Sequence, residues 1–273
     1  MADDNGFAYA KACGIIGKSF LGKRAANLKN IHSLNELDRL VFSLQHKELS
    51  DKQLLSDFKS RIDARTVKKI LYVIKSYAPE VKLLTLAFKN YKSSELVETG
   101  AELDRHYYQE LIGSLCELEQ GDREIAQKLI ADEICIRNCL WALRLRSFYN
   151  MTPLQTKNYL LDLKFNSDAF LKKQSLAAKA KSSLQFALDT RQHWEGWKWE
   201  RFLNPHEDIR SWKADPRYFQ NAASLYLCNT VYHNFHSNPL TVSSIYCFIK
   251  LMQYEEDLLI SAAQAIAFGM EAI

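Results

Sequence analysis

The segment around residue 14 has the residue types of a phosphate-binding loop. It reads Gly14-Ile15-Ile16-Gly17-Lys18-Ser19, and a glycine followed by lysine and serine ends the loop that cradles nucleotide phosphates. That loop also needs a glycine five residues before Gly17, where this chain has Ala12, and it must follow a buried strand. We therefore predict a loop or helix with small residues here, and no nucleotide binding.

Potential metal ligands occur at three places. His233 and His236 are three residues apart, Cys135 and Cys139 are four apart, and 255–257 is an acidic trio. Zinc needs three or four ligands, and di-metal sites in helical bundles use Glu-x-x-His pairs on facing helices. Neither set is complete in the sequence. We predict surface histidines, cysteines that fill small core positions, a solvated or interface acidic patch, and no metal or other cofactor.

Aromatic residues concentrate in Trp194-Glu195-Gly196-Trp197-Lys198-Trp199, with Trp212 nearby. Proteins that bind single-stranded nucleic acid combine such rings with a basic groove. Here residues 193–208 mix acidic with basic side chains, so packing between helices is predicted instead. No GxSxG elbow is present, and no catalytic residue is predicted.

The segment 132–146 places charged and amide groups within an otherwise apolar helix pattern. Arg137 and Arg144 are seven residues apart, which is two helical turns, so they lie on nearly the same face. One interpretation is an exposed polar stripe. The other is that both guanidinium groups pair with carboxylates between modules or with a partner, since their planar geometry suits bidentate contacts.

The elements that position these residues are helices. Nine Gly and five Pro in 273 residues are too few for the frequent turns of an all-β fold or for the glycine-bearing turns of a Rossmann-type sheet. Capping boxes occur at 33–36 and 152–155, and a capping residue precedes proline at 152–153, 215–216 and 238–239. Apolar spacing and these signals predict an all-α fold. The predicted helices with both ends are 7–21, 50–79, 81–92, 95–119 and 122–149. Four more helices are predicted to start near residues 33, 152, 215 and 238.

Long apolar helices suggest how the chain is organised. One closes the segment that ends near Tyr149, another closes the chain at 240–268, and a shorter counterpart is 81–92. This arrangement predicts three similar helical modules, with boundaries at 1–94, 95–190 and 191–273.

Charge and hydropathy give expectations about location. The 36 basic and 32 acidic residues leave a net charge of +4, without the like-charge runs of a nucleic-acid tail or polybasic anchor. We expect no signal peptide, myristoylation or membrane span, because the first residues are polar, Ala2 replaces the required glycine, and no long apolar run occurs. Six cysteines without framework spacing favour free thiols. The expectation is a cytoplasmic protein that binds no nucleic acid.

Several motifs together resemble the C-type (prokaryotic) and d-type (eukaryotic) subunit family of V/A-type ATPases. Members carry Asp-x-x-Asn-Ile/Leu-Lys/Arg and then Leu-Arg-x-Lys/Arg on the helix that closes each module. The matching residues are Ile136-Arg137-Asn138-Cys139 and Leu143-Arg144-Leu145-Arg146, Asn90-Tyr91-Lys92 in the first module, Phe7-Ala8-Tyr9-Ala10 at the start, and Asp215-Pro216, Asn238-Pro239-Leu240, Ile245-Tyr246 and Tyr254-Glu255-Glu256-Asp257 in the last module. The chain departs from the pattern at Cys135 and Ala87, where an acid is usual.

The resemblance implies three helical-bundle modules arranged as a funnel around a central cavity. It also implies a non-catalytic central-stalk protein, peripheral to the membrane, that couples the shaft to the membrane rotor ring for proton or sodium transport. The partners would be other ATPase subunits, with membrane contact only through them. The candidate interface residues are Arg137, Asn138, Arg144, Arg146, Asn90, Lys92, Glu255 and Asp257. The alternatives are a helical-repeat adaptor of another complex and a small-molecule enzyme.

Overall fold

The chain is helical throughout the part that the structure describes. The computed structural model describes residues 2–43, 49–75, 81–89, 100–165, 175–205 and 212–270, and these ranges hold helices and turns without a strand. The all-α prediction is confirmed. The α-helices are α1 Ala2–Ile16, α2 Leu34–Phe42, α3 Asp51–Ile74, α4 Lys82–Lys89, α5 Gly100–Ser114, α6 Gln120–Tyr149, α7 Pro153–Asn158, α8 Ala178–Ser183, α9 Pro216–Ser237 and α10 Val242–Ala267.

The described helices belong to two compact units. Unit 1 comprises Met1–Leu84 and Phe235–Ile273, and unit 2 comprises Thr85–Asn234. The three-module division and the funnel stay predictions. Within the described part of the chain, no helix combines the length and the apolar character that crossing a bilayer requires.

Unit 1 is organised around α3 and α10, which pack along each other with α1 and α2 against them. On α3, Leu54, Phe58 and Ile62 recur every fourth residue and are buried, so they form the apolar stripe that a surface helix turns toward a core. Leu259 and Ala263 of α10 complete this core from the other side.

Unit 2 is organised around α6, which packs against α7 and α8. Its core also contains the tryptophans of the 194–212 region, so their predicted packing role is confirmed. Three of the indole N–H groups donate to backbone oxygens: Trp194 to Ala187 (2.8 Å), Trp197 to Lys179 (3.1 Å) and Trp212 to Asn204 (3.1 Å). These three rings are thus buried without loss of their hydrogen bonds.

Several helix ends follow the predicted capping signals. Ser33 accepts from the Glu36 amide at 3.2 Å, and the Thr152–Gln155 box opens α7. α9 begins at Pro216 after Asp215, whose side chain accepts from the Arg217 amide at 2.8 Å. α10 ends just before Gly269, whose φ of +68° lies in the left-handed region that glycine adopts at little cost.

Three predicted helix starts are wrong. α1 begins at Ala2 rather than at Phe7, and it ends at Ile16 rather than near Leu21. α6 begins at Gln120 with Glu119 as N-cap, rather than at Asp122. α10 begins at Val242, because Thr241 caps it and accepts from the Ser244 amide at 3.1 Å. The 238–239 pair instead precedes a turn in which Leu240 has a φ of +67°. Pro79, the predicted stop of α3, lies outside the described residues.

Candidate interface and its supporting ion pairs

The arginine face of α6 is the most informative predicted feature. Arg137 forms a salt bridge with Asp104 of α5, and Arg144 donates to the side-chain oxygen of Gln220 on α9 at 2.5 Å. The Arg137–Asp104 contact lies inside the predicted second module. The Arg144–Gln220 contact joins the predicted second and third modules, and its acceptor is an amide rather than the expected carboxylate. Both contacts lie within unit 2.

Asn138 holds a neighbouring chain segment onto α6. Its side chain is 1% exposed. Its amide donates to the backbone oxygens of Leu161 (3.0 Å) and Leu176 (3.4 Å), and its oxygen accepts from the Leu161 amide at 2.7 Å. This asparagine therefore satisfies backbone groups that burial would otherwise leave unpaired.

Arg146, one turn before the end of α6, also binds backbone groups of a neighbouring chain segment. Its guanidinium donates to the backbone oxygens of Ser183 (3.1 Å) and Phe186 (2.6 Å). Burial lowers the pKa of Arg146, but an arginine stays charged at physiological pH. Arg146 and Asn138 thus support unit 2 from within.

Asp132 is a functional candidate that the sequence analysis did not single out. It is buried, and it receives the Lys198 ammonium at 3.1 Å and the Tyr226 hydroxyl at 3.2 Å. These contacts tie α6 to the tryptophan-rich segment and to α9. Both partners lie more than 60 residues away along the chain, so local sequence patterns do not indicate these contacts.

Glu255 of α10 is the centre of a buried ion cluster in unit 1. Its side chain is 3% exposed and contacts Lys69 (2.5 Å) and Arg65 (3.3 Å) of α3. It also accepts from the Phe20 backbone amide at 3.1 Å. Burial lowers the pKa of Lys69, although Glu255 acts in the opposite direction. A charge so enclosed is tolerated only because cations and an amide surround it.

Glu256 is buried beside Glu255 but has different neighbours. Burial raises its pKa from 4.5 to about 7; the Thr66 side chain opposes this rise, and Asp63 and Asp257 reinforce it. The sequence predicts a solvated or interface acidic patch here. Solvation is wrong for both glutamates, since they are buried and only Asp257 of the trio is exposed, and the interface role stays a prediction. Helix periodicity explains this result, because residues adjacent in sequence point to different sides of α10.

The remaining predicted sites are placed as follows. Asn90 and Lys92 lie outside the described residues, so their interface role stays a prediction. Ser19 is buried and donates to the Ile16 backbone oxygen at 2.7 Å, so this hydroxyl is engaged within its own turn. His233 is exposed, as predicted. Among the described residues, no three His, Cys, Asp or Glu side chains gather closely enough to hold a metal ion.

The comparisons with known proteins give a family match over nearly the whole chain. The family model described as ATP synthase (C/AC39) subunit matches residues 26–272. An uncharacterized protein of Treponema pallidum (strain Nichols) is 30% identical over 181 residues, which cover 65% of this chain and 51% of that protein. The chain thus spans about half the length of this relative. No solved structure matches the chain significantly.

Proposed function

This chain belongs to the ATP synthase (C/AC39) subunit family, and from that membership we propose that it is the central-stalk subunit of a rotary V/A-type ATPase. In this role it couples the shaft to the membrane rotor ring and carries no active site of its own. The match over residues 26–272 is the observation that carries the proposal. The resemblance of the Arg137 and Arg144 motifs to the family pattern supports it.

A torque-transmitting protein must resist shear between its helices. The described residues supply cross-links suited to this demand, because each joins elements that are distant in sequence. In unit 1 the Glu255 cluster binds α10 to α3 and to the chain after α1. In unit 2 Asp132 and Asn138 bind α6 to segments that lie 23 to 94 residues away. Buried polar contacts of this kind favour one packing arrangement over alternatives.

The groups that remain accessible are the best candidates for contacts with other subunits. Arg144 is partly exposed, and Asp257 is exposed. Asn138 and Glu255 are buried and contact their own unit, so we assign them a supporting role. We propose that membrane association arises only through protein partners, with the chain on the cytoplasmic side, and that polar surface contacts make it sensitive to salt.

A flotation assay tests this proposal. The purified chain is mixed with bare lipid vesicles and with vesicles that contain the rotor ring. We expect the chain to float only with the ring, and to float less as ionic strength rises. Strong binding to bare lipid, or equal recovery with and without the ring, would contradict the proposal. Capture by an unrelated complex would favour the adaptor alternative.

Charge reversal at Arg144 refines the assay. Arg144→Glu removes an accessible guanidinium that contacts the Gln220 amide rather than a carboxylate, so we expect weaker capture either by the ring or by the shaft. Arg217→Glu is the matched control, since Arg217 pairs with Asp215 on the same unit. Equal capture of the two variants and the unmodified chain would remove Arg144 from the interface.

A further inference from the structure

The outer face of α9 between residues 218 and 232, within unit 2, carries a row of large exposed side chains. Tyr218, Leu225 and Tyr232 are 41%, 64% and 42% exposed. Their seven-residue spacing is about two helical turns, so they follow one another along the helix. The opposite side of α9 contributes Phe219 and Ala223 to the core of unit 2. Single exposed apolar residues are ordinary, but a row at this spacing is the pattern by which helices pair.

The same face carries no charge. Charged residues make up 25% of the chain, yet residues 218–232 include no Asp, Glu, Lys, Arg or His. The other exposed positions of this face hold neutral side chains such as Asn221 and Asn229. The outer face of a solvated helix usually carries charged residues, whereas the centre of an interface is poor in charge and rich in tyrosine. The composition of this face therefore indicates an interface.

The residues of this face are arranged symmetrically about Leu225. Similar residue types stand at equal distances before and after it: Ala222 and Cys228 at three residues, Asn221 and Asn229 at four, and Tyr218 and Tyr232 at seven. With 3.6 residues per turn, all six lie within about 60° of Leu225 around the helix axis. A two-fold symmetric interface has this property, because a residue that contacts a second position must itself be contacted by that position in the other copy.

We propose that this face binds a second copy of the chain, with the two α9 helices antiparallel and a two-fold axis at Leu225. In this arrangement Leu225 of one copy contacts Leu225 of the other, and Tyr218 packs against Tyr232 of the second copy at both ends of the face. The apolar row of each helix is then removed from water along its whole length, which is about 21 Å for fourteen steps along a helix.

The polar and small residues of the face fit the same arrangement. Asn221 of each copy lies opposite Asn229 of the other, and a side-chain amide both donates and accepts, so each asparagine pair is able to hydrogen-bond. Ala222 lies opposite Cys228 of the second copy. Both side chains are small, so the two helix axes are able to approach to about 8–10 Å, the usual distance between packed helices.

Symmetry and charge favour a second copy over a helix of a different protein. A different partner places no symmetry on this face, and a charged face would repel its own copy. Arg217, at the edge of the row, pairs with Asp215 of its own chain. One helix face is smaller than the roughly 800 Å² that each partner buries in a standard interface, so the dimer should dissociate in the micromolar range. This inference does not rest on the proposed stalk role, because it concerns the isolated chain.

Sedimentation velocity of the full-length chain measures the association. Between about 1 and about 300 µM we expect the average mass to rise from 31.6 kDa toward twice that value. Leu225→Glu brings two carboxylates together at the axis and should weaken the dimer at least about ten-fold. Leu154→Glu is the matched control, the same change at a leucine of α7 that is 75% exposed, and it should leave the dimer unchanged. A chain that stays monomeric throughout, or equal weakening by both variants, would overturn the proposal.

Cysteine cross-linking tests the antiparallel arrangement. Equal amounts of Tyr218→Cys and Tyr232→Cys chains, each with Cys116→Ser to remove an exposed thiol, are oxidised together at a concentration where the unmodified chain is dimeric. Peptide mass spectrometry identifies each disulfide, and circular dichroism confirms that every variant is folded. We expect links between position 218 and position 232 to exceed links between two copies of position 218 several-fold. A majority of links between like positions would indicate parallel helices and would overturn the proposal.

Discussion

Glu256 links the stability of unit 1 to pH. Its side chain is buried and one carboxylate oxygen has no hydrogen-bond partner within the described residues. Burial raises the pKa of this carboxyl from 4.5 to about 7, with Asp63 and Asp257 adding to the rise. The folded chain therefore holds the proton more tightly than the unfolded chain does. The contribution of protonated Glu256 to the free energy of unfolding is therefore complete below pH 4.5, and it is lost as the pH rises through 7.

The size of the effect follows from the two pKa values. A change from 4.5 to about 7 corresponds to about 3 kcal/mol between the fully protonated and fully ionised limits. Between pH 5 and pH 8 the folded state should lose about 2–3 kcal/mol of this contribution. Such a loss is a large part of the stability of a typical domain.

The perturbation is Glu256→Gln, which keeps the size of the side chain and removes its titration. Urea unfolding of the unmodified chain and the variant at pH 5 and pH 8 gives four free energies of unfolding. Because the new amide also changes hydrogen bonding at both pH values, the decisive quantity is the change between them. Between pH 5 and pH 8 we expect the free energy of unfolding to fall by about 2–3 kcal/mol less in Glu256→Gln than in the unmodified chain.

Glu117→Gln is the matched control, because Glu117 is exposed. This variant should reproduce the pH dependence of the unmodified chain. Asp63→Asn should give an intermediate result, since it removes one of the charges that raise the pKa of Glu256. If Glu256→Gln and the unmodified chain lose the same stability between the two pH values, the buried carboxyl does not titrate as argued.

Three further predictions concern the interior contacts and the failed phosphate loop. Asn138→Ala should lower the free energy of unfolding by about 2–3 kcal/mol in urea titrations, because buried backbone groups lose their partners, whereas Asn229→Ala on the exposed face of α9 should change it little. Glu255→Gln should lower the free energy of unfolding by about 3 kcal/mol, because it leaves two cations without a carboxylate. Restored stability in a Glu255→Gln, Lys69→Met double variant would support that reason. Calorimetry should detect no ATP binding, and micromolar affinity that Lys18→Ala abolishes would refute this expectation.

Local signals predicted much of the fold. The Ser33 and Thr152 capping boxes and the stop at Gly269 depend on contacts within a few residues, so their chemistry is complete in the sequence. The start of α10 was missed because two capping signals compete there. Asn238 before Pro239 is a valid start, and Thr241 three residues later is another. Only the backbone turn at Leu240 decides between them.

The ion cluster was harder to predict because its members are far apart in sequence. Glu255 meets Arg65 and Lys69 from about 190 residues away, and charged residues are usually exposed. One signal was available: Arg61, Arg65 and Lys69 recur every fourth residue and flank the apolar stripe of α3. Such a row of cations beside a core face also fits an exposed charged stripe, so it does not identify Glu255 as a partner.

The proposed coupling role can be measured directly in vesicles that contain the complete ATPase. ATP hydrolysis and ion uptake are recorded together, first with the chain present, then after its removal, and finally after the purified chain is added back. We predict that removal leaves ATP hydrolysis in place but abolishes ATP-driven ion uptake, and that adding the chain restores uptake. Ion uptake that continues at the same number of ions per ATP without this chain would contradict the proposed link between shaft and ring.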